Sequence, residues 1–243
     1  MRWMPLLLFL AGCFEPTIVE RPVTTSAIGD GPALEAGRSQ ALVPYAEVRA
    51  QVEADRLRLS RMDRPLARGE ARKVLIASVR DGLIPHWDGT PWDFYGTTTV
   101  PGEGVIACGY FVSTVLQHTG LQVERVRMAQ QASAHIAMSF ERDLRVFRAG
   151  DEAAVVHALL AEGEGIYVVG FDAHVGLVVV RDEHAEFCHS SWLGASGVQC
   201  TDPLHDAAFR SALHVYSPVL TDAVVDAWLD GTAIPTVTRG RIP

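Results

Sequence analysis

The chain has 243 residues, with 29 acidic against 21 basic side chains, a formal charge of −8 at pH 7 and 48% apolar residues. Arginine carries nearly all of the positive charge, and no Lys/Arg-rich run offsets the acidic balance, which argues against a nucleic-acid partner. No internal repeat is visible, and the length beyond the N-terminal forty residues suits one domain with a real core.

Arg2 precedes an apolar run at residues 5–10. The run is far shorter than the roughly 20 apolar residues of a membrane-spanning helix. Residues 1–12 therefore read as a secretory signal. The run ends in Leu10-Ala11-Gly12-Cys13, which resembles the bacterial lipobox, where cleavage before the cysteine leaves an N-terminal residue that carries lipid. Cys13 is then a membrane anchor. The alternative is an ordinary signal in which Ala11 and Gly12 are only small residues near the cut. Residues 13–40, rich in Pro, Thr, Gly, Ala and acids and without a sustained period, read as a flexible tether. Residues 41–243 are the single folded domain.

Within that domain the pattern predicts helices first and strands late. Val48, Val52, Leu59 and Met62 sit near helical spacing over 46–62, a helix ended by Pro65. A second helix is expected at 70–80, closed by Gly82. Residues 85–104, rich in Pro and Gly and holding Trp87, Trp92, Phe94 and Tyr95, read as a loop leading into a helix at 107–118 that Gly120 caps. Further helices are expected at 124–142 and 151–161, the latter opened by Asp151. The period then changes, predicting strands at 165–171, 174–180, 185–190, 197–201 and 212–216 before a last helix at 221–229.

Chemistry concentrates in three places. Ala107-Cys108-Gly109-Tyr110-Phe111-Val112 opens an apolar helix, His174-Val175-Gly176-Leu177-Val178 begins a strand, and Cys188-His189-Ser190-Ser191 lies in the next. A helix N-terminus with an imidazole nearby can lower a cysteine pKa from about 8.5 into the range of roughly 3.5 to 7.5, giving a nucleophilic thiolate. If residues 181–184 form a four-residue hairpin loop, Val180 pairs with Ala185 and Gly176 faces His189. His174 and His189 then share a face one diagonal step apart, about 7 to 8 Å between backbones, which imidazoles can bridge. One histidine can take the thiol proton while the second orients it. Cys188 points to the other face. Cys188 and Cys200 flank a turn-rich stretch and are either a disulfide across the hairpin or two small buried thiols.

These residues, in the order Cys108, His174, His189, resemble the NlpC/P60 superfamily of cell-wall cysteine peptidases over roughly residues 85–202. The resemblance implies an α+β, permuted papain-like domain with N-terminal helices packed on a small antiparallel sheet. Two positions depart from the family's Asp-Cys-Ser-Gly pattern: Ala107 precedes the cysteine and Gly109 follows it. Tyr95 looks like the family's upstream aromatic that lines the oxyanion region, with Trp92 an alternative. The implied activity is hydrolysis of an amide bond in peptidoglycan stem peptides at the bacterial cell envelope, facing the periplasm or exterior, through a Cys108 thiolate and a His174 base and without a metal or other cofactor. The implied partners are peptidoglycan or its peptide fragments and, through Cys13, a membrane.

Other readings of the same residues remain open at this level. A thiol acyltransferase or deamidase of the same fold would share the covalent Cys108, and a non-catalytic peptidoglycan-binding or assembly lipoprotein would leave it inert. No Cys-x-x-Cys or His-Glu-x-x-His spacing suggests zinc. Trp87, Trp92 and Trp192 can line a groove for peptide or sugar or belong to the core. Gln130-Gln131-Ala132-Ser133 can reach substrate or form a polar helix face. His86, His118, His135, His157, His184 and His205 have no partner readable from spacing.

Overall fold

The computed structural model describes residues 42–148, 150–194 and 196–240. The signal segment, Cys13 and the tether lie outside the described residues. The domain opens with α1 (Tyr45–Leu59) and α2 (Arg64–Ala77), the latter continuing through a π-helical turn, Ser78–Leu83, into the one-turn α3 (Ile84–Trp87). Pro65, expected only to stop the first helix, lies in the first turn of the second, where its missing N–H has no partner to lose. The helix expected at 70–80 therefore begins at Arg64, and Trp87 belongs to helix rather than loop.

Cys108 opens α4 (Cys108–His118), followed by β1 (Gln122–Val123). The single helix expected over 124–142 is two short ones, α5 (Arg125–Ala129) and α6 (Ser133–Met138). Two tertiary contacts break it. The Ala129 carbonyl presses against Gly109, and the Ser133 hydroxyl donates to the Phe171 carbonyl oxygen at 2.8 Å. Propensity yields to such contacts. An unforeseen strand, β2 (Arg145–Arg148), follows, then α7 (Glu152–Glu162), β3 (Gly165–Gly170), β4 (Val175–Arg181), β5 (His184–Ser191), β6 (Gly197–Thr201), β7 (Leu213–Pro218), α8 (Asp222–Asp230) and β8 (Ala233–Ile234).

Six strands form one antiparallel sheet in the order β2-β7-β3-β4-β5-β6, and β1 pairs with β8 in parallel. The fold is α+β. Along β3 and β4 the side chains alternate between two cores. Ile166, Val168, Leu177 and Val179 join the core that includes Phe111 and Val115 of α4. Tyr167, Val169, Val178 and Val180 join Val155 and Leu159 of α7. Because both sheet faces are covered, the strands read as unbroken apolar runs, and each fully buried Val or Leu contributes about 1.5–3 kcal/mol. The β4–β5 register pairs Val180 with Ala185 as expected, but Arg181 also pairs with His184. The hairpin loop is thus two residues, not four: Asp182 and Glu183, both at positive φ, as a twisted two-residue turn demands.

The second and last α-helices are joined by a ladder of ion pairs. Arg64, Arg68 and Arg72, one turn apart on α2, meet Asp230, Asp226 and Asp222 on α8, with Arg64–Asp230 at 2.7 Å. Among the described residues no helix is long and apolar enough to cross a membrane.

Candidate active site

The chain ahead of Cys108 is pinned at successive residues. Ile106 N–H donates to the Pro91 carbonyl and Ala107 N–H to that of Gly96, both at 2.9 Å. The Ser190 hydroxyl on β5 donates to the Ile106 carbonyl at 2.7 Å. Gly96 is required by this approach, since a Cβ there would stand 2.5 Å from the Ile106 nitrogen. Ala107 is the extended residue that caps α4, and its side chain makes no capping bond. The helix's backbone bonding starts with Phe111 N–H to the Ala107 carbonyl, at 2.8 Å. The amides of Cys108 and Gly109 thus belong to the first turn, whose N–H groups have no intrahelical partner, and both face the thiol, as does the Val175 amide. Gly109 has a packing cause: a Cβ there would overlap the Ala129 carbonyl oxygen.

Val175 begins β4, so its contact with Cys108 brings the thiol beside His174. The two residues line the same cavity, of about 350 Å³. Behind His174 runs a hydrogen-bonded chain: its Nε2 lies 2.8 Å from His189 Nδ1, and His189 Nε2 lies 3.1 Å from Asp206 Oδ2. Asp206 sits between two short 3-10 turns. Its Oδ2 also accepts from the Thr201 hydroxyl at 2.6 Å and the Gln199 amide at 3.3 Å, and its Oδ1 from Ala208 N–H at 2.7 Å.

The direction of these bonds follows from the far end. A carboxylate only accepts, so His189 Nε2 carries a proton and donates it to Asp206. Gln199 Nε2 also lies 3.2 Å from His189 Nε2, but two donors cannot bond, and its acceptor is Asp206. With that proton on Nε2 and none on Nδ1, His189 offers a lone pair at Nδ1, which accepts from His174 Nε2–H. That leaves the lone pair of His174 on Nδ1, a buried atom with no hydrogen-bond partner in the protein. Ring packing holds both imidazoles: Phe187 stacks on His189 at 4.3 Å, Phe171 on His174 at 5.9 Å, and Trp192 meets His174 edge-on at 6.1 Å.

The electrostatics favour an uncharged resting pair. Burial pushes the Cys108 thiol above its ordinary value, against the lowering effect of the amides of Gly109, Val175 and Cys108. Burial, joined by the repulsion that two neighbouring charged rings would suffer, pulls His174 down to about 3, against the opposing pull of Asp206. The lowered thiol pKa expected from a helix N-terminus is thus reversed, because desolvation penalises the thiolate more than the amides favour it. Burial alone would raise the Asp206 carboxyl, but hydrogen bonds from His189 and Thr201 hold it well below the usual carboxylate range.

Tyr95 and Trp92 both line a second cavity, of about 820 Å³, that shares Cys108 and Gly109 with the first. Tyr95 is a wall of this groove and not a partner of His174 or His189. Trp87 is fully buried, donating to the Tyr45 hydroxyl at 2.9 Å, and leaves the groove to Trp92 and Trp192. His118 is likewise internal, 2.7 Å from the Tyr45 hydroxyl. Gln130 and Gln131 face the groove between α5 and α6 instead of forming a helix face. Cys188 and Cys200 pair across β5 and β6 and are disulfide-bonded. Among the described residues the one cluster with metal-ligand proximity, Glu186 with these two cysteines, has both sulfurs committed to that bond. Sequence reasoning missed Asp206, Thr201 and Gln199. The available signal was an acid just after the last site strand, and Asp202 carried the same signal.

No protein-family model, no curated protein and no solved structure matches this chain.

Proposed function

We propose that this protein is a cysteine hydrolase of the NlpC/P60 kind, with a permuted papain-like arrangement, that cleaves amide bonds in peptidoglycan stem peptides. Its place is the bacterial envelope, held to a membrane through Cys13 on the tether of residues 13–40. The observation that carries the reading is the buried, unpartnered Nδ1 of His174, a residue that lines one cavity with Cys108, backed by a chain of bonds ending on a carboxylate.

In the proposed reaction His174 Nδ1 takes the Cys108 proton as sulfur attacks the amide carbonyl carbon. The carbonyl electron pair moves to oxygen, and the resulting oxyanion accepts from the Cys108 and Gly109 amides. His174, now an imidazolium stabilised through His189 by Asp206, returns the proton to the leaving amine as the C–N bond breaks. Water, deprotonated by His174, then attacks the thioester, and the acid leaves as the thiol is reprotonated. No step requires a metal.

The test is to incubate purified peptidoglycan with the wild-type protein and with Cys108→Ala and identify soluble fragments by mass spectrometry. Peptides released only by the wild type are expected, and their ends identify the bond. An acyltransferase would instead give products joined to an acceptor other than water. Release by neither protein, with Cys108 also inert to iodoacetamide in the folded state across neutral and alkaline pH, would sink the proposal.

A further inference from the structure

The larger cavity beside Cys108 has an unusual lining. Its walls carry five aromatic side chains, those of Trp92, Phe94, Tyr95, Tyr110 and Trp192. None of its lining side chains is charged, and none is Leu, Ile, Val or Met. The polar groups are neutral, chiefly the amides of Gln130 and Gln131 and the hydroxyl of Thr97. Phe94 and Tyr95 are 70% and 83% exposed, so their rings are presented to solvent and not used in the core. Their orientations are set in advance: Phe94 meets Tyr95 edge to face at 5.1 Å, and Trp92 meets Trp192 at 5.2 Å.

This composition discriminates among occupants. A stem-peptide segment bearing free carboxylates or amines calls for countercharges, and this wall supplies none. A fatty chain calls for flexible aliphatic walls, which are absent. Aromatic faces beside neutral amides and hydroxyls suit a pyranose ring, whose C–H faces pack on aromatics while its hydroxyl and acetamido groups exchange hydrogen bonds with amide side chains. We propose that this groove is a sugar subsite that holds an N-acetylated amino sugar of the glycan strand. Resting on the peptidoglycan reading above, the substrate class is then the stem peptide still attached to glycan, with its peptide running past Cys108 into the smaller cavity.

The probe is the tetramer of N-acetylglucosamine, titrated into the full chain carrying Cys108→Ala and followed by tryptophan fluorescence, to which Trp92 and Trp192 contribute. Saturable binding is expected, weakened at least about tenfold by Phe94→Ala and by Trp192→Ala. In parallel, the wild type is assayed on one stem peptide with and without its amino sugar, and a higher kcat/KM for the sugar-bearing form is expected. Oligosaccharide binding without hydrolysis of either substrate would remove the hydrolase and leave the sugar subsite. Equal hydrolysis of both peptides without oligosaccharide binding would overturn the subsite and leave the hydrolase. Binding of decanoate in place of the sugar would overturn it in favour of an acyl-chain site.

Discussion

His174 and His189 share a hydrogen bond of 2.8 Å between Nε2 and Nδ1, and that bond makes the tautomer of the first a consequence of what the second touches. Asp206 sets the direction: with its carboxylate accepting from His189, the lone pair of His174 stands on Nδ1, the ring atom left without a partner. Replacing Asp206 by Asn keeps the size but offers an N–H₂ where a carboxylate stood, and the chain can reverse. We expect Asp206→Asn to lower kcat by on the order of 10²–10⁴ with a smaller change in KM. Imidazole nitrogen chemical shifts would show the His174 proton redistributed. An unchanged kcat with unchanged shifts would remove Asp206 from the mechanism.

Acid should unfold the protein through its buried imidazoles. His174 is pulled down to about 3 and His118 to about 4, both by burial first, against an ordinary value of about 6.5 in the unfolded chain. Between these values the unfolded state binds protons that the folded state excludes, so stability is fully present above about pH 6.5 and falls as pH drops through the window. Asp206, held below its ordinary range, adds a loss in the same direction once pH falls below the unfolded carboxyl value. The melting temperature should decline between pH 7 and pH 4.5, with a shallower slope in His174→Gln. A flat profile over that interval would contradict the burial of these rings.

The same neutral pair shapes reactivity. Because burial raises the Cys108 thiol, alkylation by iodoacetamide at pH 7 should be slower than for a free cysteine and climb steeply toward alkaline pH. If His174 removes the proton within the reaction as proposed, catalysis should not show the loss near pH 6.5 that an ordinary imidazole base imposes. Alkylation already maximal at pH 7 would indicate a preformed thiolate.

The Cys188–Cys200 disulfide joins neighbours of the relay: His189 follows Cys188, and Gln199 and Thr201, both bonded to Asp206, flank Cys200. Substituting both cysteines by serine should cost about 2–4 kcal/mol of stability and reduce kcat at temperatures where the protein remains folded. Denaturant titration beside steady-state assay separates the two effects. Full activity in a folded, serine-substituted protein would assign the bond to stability alone.

Gly109→Ser, which introduces the serine that the NlpC/P60 pattern has after its cysteine, is expected to harm this protein. Its Cβ would overlap the Ala129 carbonyl oxygen, forcing α4 and α5 apart at a cost of about 1–3 kcal/mol. A lower melting temperature, with loss of the proposed activity as the Cys108 and Gly109 amides shift, is the expected outcome. Wild-type stability in the serine variant would mean that the α5 turn moves freely.

Local signals in the sequence reached a good part of this architecture. The late strands were legible because β3 and β4 are buried on both faces and therefore continuously apolar, and the His174–His189 proximity followed from one register that the pairing of Val180 with Ala185 sets. The α5–α6 break was not legible, since its causes lie at Gly109 and Phe171, distant in the chain. Asp206 was missed for a related reason: it belongs to no regular element and meets His189 only after β6 has turned back. Trp87 and Trp192 are alike in composition, yet their fates differ, because one falls in α3 beneath Tyr45 and the other at the end of β5 over His174.

The ladder of arginines and aspartates between α2 and α8 gives the domain a mechanical consequence. Any pull on the segment ahead of Leu42 enters through α1 and α2. Arg56 of α1 bonds the Leu229 carbonyl, and Arg64, Arg68 and Arg72 grip α8. Tension applied at the N-terminus is thus passed across several rungs to α8 near the C-terminal end, loading them together instead of peeling one at a time.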